Sequence, residues 1–265
     1  MKTKLIQWDY KIFEGRNSDN VQYNAQMPLL VKKGLQPLTA KDIMQYKLQA
    51  IQSNNKGEMN FWLNHYWDTV DGLAYHKGQL IVVPNSQELL NINPEIKLSD
   101  GSLILSPKQY KQLSKKNEVI KRDKIISEKE LTKKQAKGHP IWLKLAQEDK
   151  SLLNEYVDAI FAKAKEVYDH DENMGIYLSS DQSKPVMIDW YIGDLCNRSI
   201  AGSAGSLDNH YCRLLGVRAQ TLEEVLGKIA QQEGVTNPSE VRKALKFYRL
   251  YKDNFFIENV LKNIQ

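Results

Sequence analysis

Cysteine is scarce in this chain of 265 residues. Cys196 and Cys212 stand sixteen apart, with no Cys-x-x-Cys pair and no histidine at a ligand spacing. That excludes a disulfide framework and a structural zinc, and both thiols read as reduced groups of the interior or its edge. Long hydrophobic runs are missing as well. Stretches such as 80–84 and 187–188 fall far short of the roughly 18–20 apolar residues a membrane span needs, so no membrane partner is expected. The basic N-terminus is not followed by an apolar run of about 7–15 residues, which points to a cytoplasmic chain without a secretory signal. Internal repeats are absent, which disfavours solenoids and propellers. There is no Gly-Lys-Ser/Thr, hence no phosphate-binding P-loop. Nothing matches the signatures of RNA-recognition, zinc-finger or KH modules. An excess of one charge is lacking too: 37 Lys+Arg face 32 Asp+Glu, a net +5 that is mild for a dedicated nucleic-acid binder.

What is present is the composition of an ordinary soluble domain, 42% hydrophobic and 26% charged. A chain of this length buries about 70–75% of its unfolded surface, enough for one large domain or two modest ones. Five Trp, thirteen Tyr and six Phe supply too much buriable surface for a disordered coil.

Punctuation by Gly and Pro predicts an irregular α+β fold in which antiparallel hairpins pack against helices and the C-terminus is helical. A strand is expected over 4–13. Thr39 followed by Asp42 heads a helix, and an apolar stripe at 61, 62, 63, 66 and 67 predicts another from 57 to about 67. His76-Lys77-Gly78 and Ser99-Asp100-Gly101 read as hairpin turns with Gly in a left-handed conformation. A helix follows at 107–113. Apolar residues at 153, 156, 157, 160, 161, 164, 167 and 168 share one face of a long helix. Strands are expected at 176–179, 186–192 and 211–217, and two last helices begin after Thr221 and Asn237.

Charge is uneven along the chain. Residues 111–138 carry ten Lys/Arg and four Asp/Glu, a net +6, so the remaining residues are close to neutral. This suggests three parts: 1–113, a basic connecting segment 114–138, and 139–265. Ser127-Glu128-Lys129-Glu130 has the form of a capping box, so the second half of the segment is expected to be helical. On the last helix Arg242, Lys246 and Arg249 form a basic stripe opposite an apolar one, the footprint of phosphate-backbone contact.

The densest polar cluster holds Asp189, Asp194, Arg198, Asp208 and His210 around a small-residue loop at 199–206. Carboxylates at a strand end beside such a loop suit acid/base or metal-assisted chemistry, and the same residues serve equally as turn formers. Within this region Gly175-Ile176-Tyr177 and Tyr191-Ile192-Gly193 match the two tripeptides that name the GIY-YIG nucleases. The match covers about twenty-five residues. Thirteen residues separate the tripeptides here, where that family has about ten or eleven, Arg198 follows early, and Gly202 and Gly205 interrupt the expected helix. The resemblance implies that Tyr177 and Tyr191 position water and phosphate, that Arg198 stabilises developing charge, and that an acid holds Mg²⁺.

His65 and Asp68, three apart, would share a helix face as an acid/base or capping pair. His139 reads as a pre-proline loop residue and His170 as a cation near a helix C-terminus.

Three functional expectations follow. The first is a cytoplasmic binder of nucleic acid or another polyanion, with contacts from Lys121, Arg122, Lys124, Lys133, Lys134, Arg242, Lys246 and Arg249. The second is a metal-assisted phosphodiesterase or nuclease using Asp189, Asp194, Arg198, Asp208 and His210, with Mg²⁺ as its cofactor. The third is a non-catalytic module with a protein partner, presenting exposed aromatics around Trp62 and Trp67.

Overall fold

A computed structural model describes residues 10–11, 22–180, 182–195, 200–203, 207–208 and 213–218. Strand β1 (Tyr10–Lys11) and helix α1 (Tyr23–Lys32) precede β2 (Leu35–Pro37). Helix α2 (Ala40–Ser53) starts where its sequence says it should: Thr39 and Asp42 form a reciprocal capping box. Helix α3 (Lys56–Leu63) ends four residues before Trp67, because Trp67 and Asp68 are drawn into β3 (Trp67–His76). His65 and Asp68 therefore do not share a helix face; His65 Nδ1 lies 2.9 Å from the Phe61 carbonyl, and Asp68 enters the sheet. The hairpin to β4 (Gln79–Val83) turns through Lys77 and Gly78, both at positive φ. After the short helix α4 (Gln87–Leu90), Asp100 and Gly101 turn β5 (Leu98–Ser99) into β6 (Ser102–Ile104). Helix α5 (Pro107–Lys116) is opened by a Ser106–Gln109 box.

Residues 114–138 are not a connector. They supply β7 (Ile120–Lys121), a 3-10 turn over Arg122–Lys124, β8 (Leu131–Thr132) and α6 (Lys133–Gly138). The box at 127–130 opens no helix, since tertiary bonds use its groups: Glu128 N–H donates to Ile176 O, and its carboxylate accepts from Leu178 N–H. The helix begins instead after Thr132, which boxes with Gln135. His139 caps α7 (Pro140–Leu145): its Nδ1 accepts from Ile141 N–H, which leaves Nε2 to donate to Ile126 O at 2.8 Å. Burial holds its pKa below the ordinary value, keeping the ring in the neutral form this cap requires. The long helix α8 (Lys150–Tyr168) follows, then β9 (Glu172–Asn173), β10 (Ile176–Tyr177), β11 (Val186–Ile192), β12 (Ala201–Gly202), β13 (Arg213–Leu214) and β14 (Gly216–Arg218).

The α+β class is as the sequence implies, and the antiparallel hairpins are present. The main sheet runs β10-β12-β11-β3-β4-β7, with β13 on β3 and β6 on β11. Strand pairings run across the three expected parts. Strand β3, from the first part, pairs with β11, from the last, and β7 of the basic segment pairs with β4. One core joins them, with Trp67, Trp142, Trp190, Leu73 and Ile188 almost wholly buried. By its contacts the chain divides after Val217. The helices expected after Thr221 and Asn237, with Arg242, Lys246 and Arg249, lie outside the described residues. No helix among those described is long and apolar enough to cross a membrane.

Candidate binding face

Strand β11 reads Val-Met-Ile-Asp-Trp-Tyr-Ile, an apolar run broken by Asp189 and Tyr191. Alternation puts Met187, Asp189 and Tyr191 on one face of the sheet and Ile188, Trp190 and Ile192 on the other. The second face is closed: Trp67, the partner of Ile192, packs on Trp62 of α3 at 5.3 Å, and Trp62 stacks on Tyr46 of α2 at 4.6 Å. Trp62 and Trp67 are thus core residues, 3% and 0% exposed, and not the exposed patch expected of an interaction module.

The first face grades from closed to open. Met187 is buried against α4, where Ser86 Oγ lies 3.1 Å from its sulfur. Asp189 comes next at 5% exposure, and Tyr191 beyond it is only half-buried. Cross-strand register extends this open end into a row. Tyr177 pairs with Gly202, Gly202 with Tyr191, and Tyr191 with Asp68. A Cβ at Gly202 would run into the far end of the Tyr191 ring and push it aside. The exposed ring of Tyr66 lies 5.8 Å from that of Tyr191, within the range of aromatic contact. Tyr177 donates to Glu130 at 3.3 Å. Arg213 donates its backbone N–H to Tyr66 O, and its guanidinium carbon lies 6.0 Å from the Trp67 ring centroid. Tyr168, exposed at the end of α8, donates to Leu195 O at 2.8 Å, and Leu195 N–H donates to Leu63 O.

The row ends in buried acids. Strand β3 bulges where Asp189 pairs with Gly72 while Tyr191 pairs with Asp68, so three residues of β3 oppose Trp190 alone. Asp68, Asp71 and the facing Asp189 collect there. Burial, then the nearby Asp68 carboxyl, raise the pKa of Asp189 well above the carboxylate range. Asp71 accepts from the backbone N–H of Ala40 at 2.6 Å and of Asn85 at 2.7 Å, and burial lifts its pKa to about 7. From α1, Tyr23 donates to Thr69 O at 3.0 Å.

The other predicted site residues do not assemble around Asp189. Asp194 is half-buried beyond the end of β11, and Asp208 sits exposed in a turn. Arg198 and His210 lie outside the described residues. Among the described residues no three His, Cys, Asp or Glu side chains are arranged to hold a metal ion. The nuclease-like tripeptides do not form a hairpin either: β12 lies between β10 and β11, parallel to the first and antiparallel to the second.

The basic candidates are dispersed. Arg122 donates to Ser179 O at 2.7 Å and faces Glu128 at 3.6 Å, while Lys133 pairs with Asp158 at 2.7 Å. Lys121, Lys124 and Lys134 are exposed. The sequence held one sign of the tyrosine row, polar residues two apart inside an apolar strand. It held none of Tyr66, which register alone brings alongside.

No protein-family profile matches the chain, and no curated protein matches it. A solved structure does, one described by the words "accommodation of massive sequence variation in Nanoarchaeota by the C-type lectin fold". It aligns with a TM-score of 0.61 at 20% identity, over 81% of this chain and 100% of that one. The likeness is one of fold: residues of this chain build an α+β architecture similar to the C-type lectin fold.

Proposed function

We propose that the protein is a non-catalytic recognition module that binds a protein partner through the face of Tyr66, Tyr177 and Tyr191. The observation that carries this reading is the Tyr177–Gly202–Tyr191 row, left half-open on a sheet whose opposite face is sealed by tryptophan. Tyrosine offers large, rigid, amphipathic contact area at small entropic cost. Residues 193–213 add three Gly, three Ser, two Asn, two Arg and a further Tyr, the composition of adaptable binding loops. The fold neighbour is described as accommodating massive sequence variation. Transferred to this chain, that capacity suits the small and polar residues of 193–213.

The test is capture from lysate of the source cells on immobilised protein, wild type against Tyr66→Ala/Tyr191→Ala, after confirming that the variant keeps its circular dichroism. A polypeptide retained through nuclease treatment and high salt, and reduced about tenfold or more by the double variant, is the expected result. Identical capture by both proteins, or retention abolished by nuclease, overturns it.

A second reading, polyanion binding, is favoured by one specific observation. Lys108, Lys111, Lys115, Lys116, Lys121 and Lys124 are all exposed along α5, β7 and the turn that follows, and none forms an ion pair with another described residue. Fluorescence anisotropy of end-labelled single-stranded RNA tests it. On this reading the salt slope falls by roughly one for each phosphate contact removed when Lys115, Lys121 and Lys124 become Glu; an unchanged slope removes it.

A further inference from the structure

We propose that His139 is an acid-sensitive clasp: its neutral ring joins the start of α7 to the segment before β8, and a second ring proton opens that corner and loosens strand β10 of the tyrosine face. The inference rests on the reading of that face as the recognition surface only for what the opening does, and it names a regulation of it.

Both ring nitrogens have fixed tasks. The Ile141 N–H points at Nδ1 over 3.2 Å, so Nδ1 must accept. The Ile126 carbonyl, 2.8 Å from Nε2, can only accept, so Nε2 must carry the ring's hydrogen. The side chain that makes these two bonds is buried. Each of the segments it joins holds β10 by bonds of its own. From α7, Trp142 Nε1 donates to Met174 O at 2.8 Å, two residues before the strand. From the other segment, Glu128 N–H donates to Ile176 O at 2.7 Å, and the Glu128 carboxylate accepts from Leu178 N–H at 2.9 Å. Gly175 lies so close to Lys129 O that a Cβ there would come within 2.8 Å of it. Tyr177 sits between these anchors, in register with Gly202.

An incoming proton has only Nδ1 to take, and there it meets the Ile141 N–H head-on. The cation keeps its bond to Ile126 only by holding two donors face to face, so the start of α7 and residue 126 part. The charged groups of the surrounding elements are engaged elsewhere or lie in solvent. Lys133 and Lys137 of α6 both pair with Asp158 of α8, at 2.7 and 2.8 Å, and Lys134 is exposed. Lys144 of α7 pairs with Glu118 and Glu148. Tyr156 of α8 is a phenol that burial keeps neutral. In the segment before β8, Glu128 faces Arg122, Glu130 accepts from Tyr177, and Asp123, Lys124 and Lys129 are exposed. None of these is among the groups that shift His139, whose pKa burial lowers against the opposing pull of Ile126 O. The sign follows from linkage. A histidine lowered in the folded state contributes stability that is complete above its unfolded value of 6.5 and lost as pH falls through the folded one. The corner is thus closed at neutral pH and opened by acid.

Amide hydrogen exchange tests this without any partner, on the full chain at about pH 7.5 and about pH 5 with intrinsic rates divided out. The reference is His139→Asn, whose side chain caps a helix but takes up no proton. Between the two pH values the wild type is expected to lose about tenfold more protection than the variant, at residues 141 and 143 and at 176–178. That lies within the roughly thirtyfold ceiling for one group with an unfolded value of 6.5. Equal losses in the two proteins, no loss in the wild type, or a loss confined to α7 overturn the clasp. Should the variant fail to fold, nitrogen-15 spectra of the wild-type imidazoles decide. The ring of His139 must carry its hydrogen on Nε2 at about pH 7.5, with wild-type exchange at those amides rising in acid; a ring already charged there, or one with its hydrogen on Nδ1, overturns the proposal. Failure of the capture experiment leaves this result standing, and the reverse is equally true.

Discussion

Trp142→Ala is expected to lower the free energy of unfolding by about 3–5 kcal/mol, the range for emptying a buried tryptophan site. The indole is wholly buried in α7, donates from Nε1 to Met174 O at 2.8 Å and lies 6.2 Å from the Tyr156 ring of α8. Alanine removes that packing and also strands a buried carbonyl next to β10. Urea denaturation followed by circular dichroism and by fluorescence checks both the size and the form of the loss. Because β3 of the N-terminal half pairs with β11, the two probes should move together to a lower midpoint. A loss below about 1 kcal/mol, or a transition split between the two probes, would contradict the single core that joins α7 to the sheet.

The second large effect belongs to Asp71. Its two oxygens tie the first turn of α2 to the end of β4 through Ala40 and Asn85, so Asp71→Ala leaves two backbone donors without their partners at a cost on the order of 3 kcal/mol at pH 6. The pH dependence is the sharper test. Burial lifts the folded pKa from 3.8 to about 7. The unfolded chain therefore releases this proton first, and stability is complete below about pH 4 and declines as pH rises through 7. Integrated over that interval the decline is on the order of 4 kcal/mol. In Asp71→Asn nothing titrates at this position, so its melting temperature should start lower at pH 5 but fall less steeply toward pH 8. Parallel slopes in wild type and variant would show that Asp71 is not the group responsible.

Local signals in the sequence survived into the structure wherever they were self-contained. The Thr39–Asp42 box, the Lys77-Gly78 and Asp100-Gly101 turns, the face of α8 and the bounds of β11 all depend on neighbours a few residues away. Signals with distant competitors did not. The Ser127–Glu130 box could open a helix, but within it Glu128 bonds to Ile176 and Leu178, and the tertiary bonds prevailed. The aromatic stripe of α3 carried no mark of stopping at Leu63, because what ends it is the pairing of Trp67 with Ile192, 125 positions further on. The binding face was hidden for the same reason. Tyr177 and Tyr191 stood out in the tripeptides that contain them, yet their common partner Gly202 is set by a parallel pairing that no spacing rule reveals. Asp189 was singled out as a catalytic acid, but its environment depends on Asp68, which its spacing from His65 had placed on a helix.

The pairing of β3 with β11 also fixes an order of events during synthesis. Strand β3 is complete at His76, but its longest partner begins at Val186, with α5 to α8 in between. Until that partner emerges from the ribosome, one edge of a ten-residue strand whose first nine residues end up buried lacks the strand that covers it. Closing so long a loop makes folding slow, and the growing chain is most exposed to aggregation in that interval. The chain's excess of lysine falls in the stretch made during it, residues 111–138, where like charges keep nascent chains apart before they have a sheet to join.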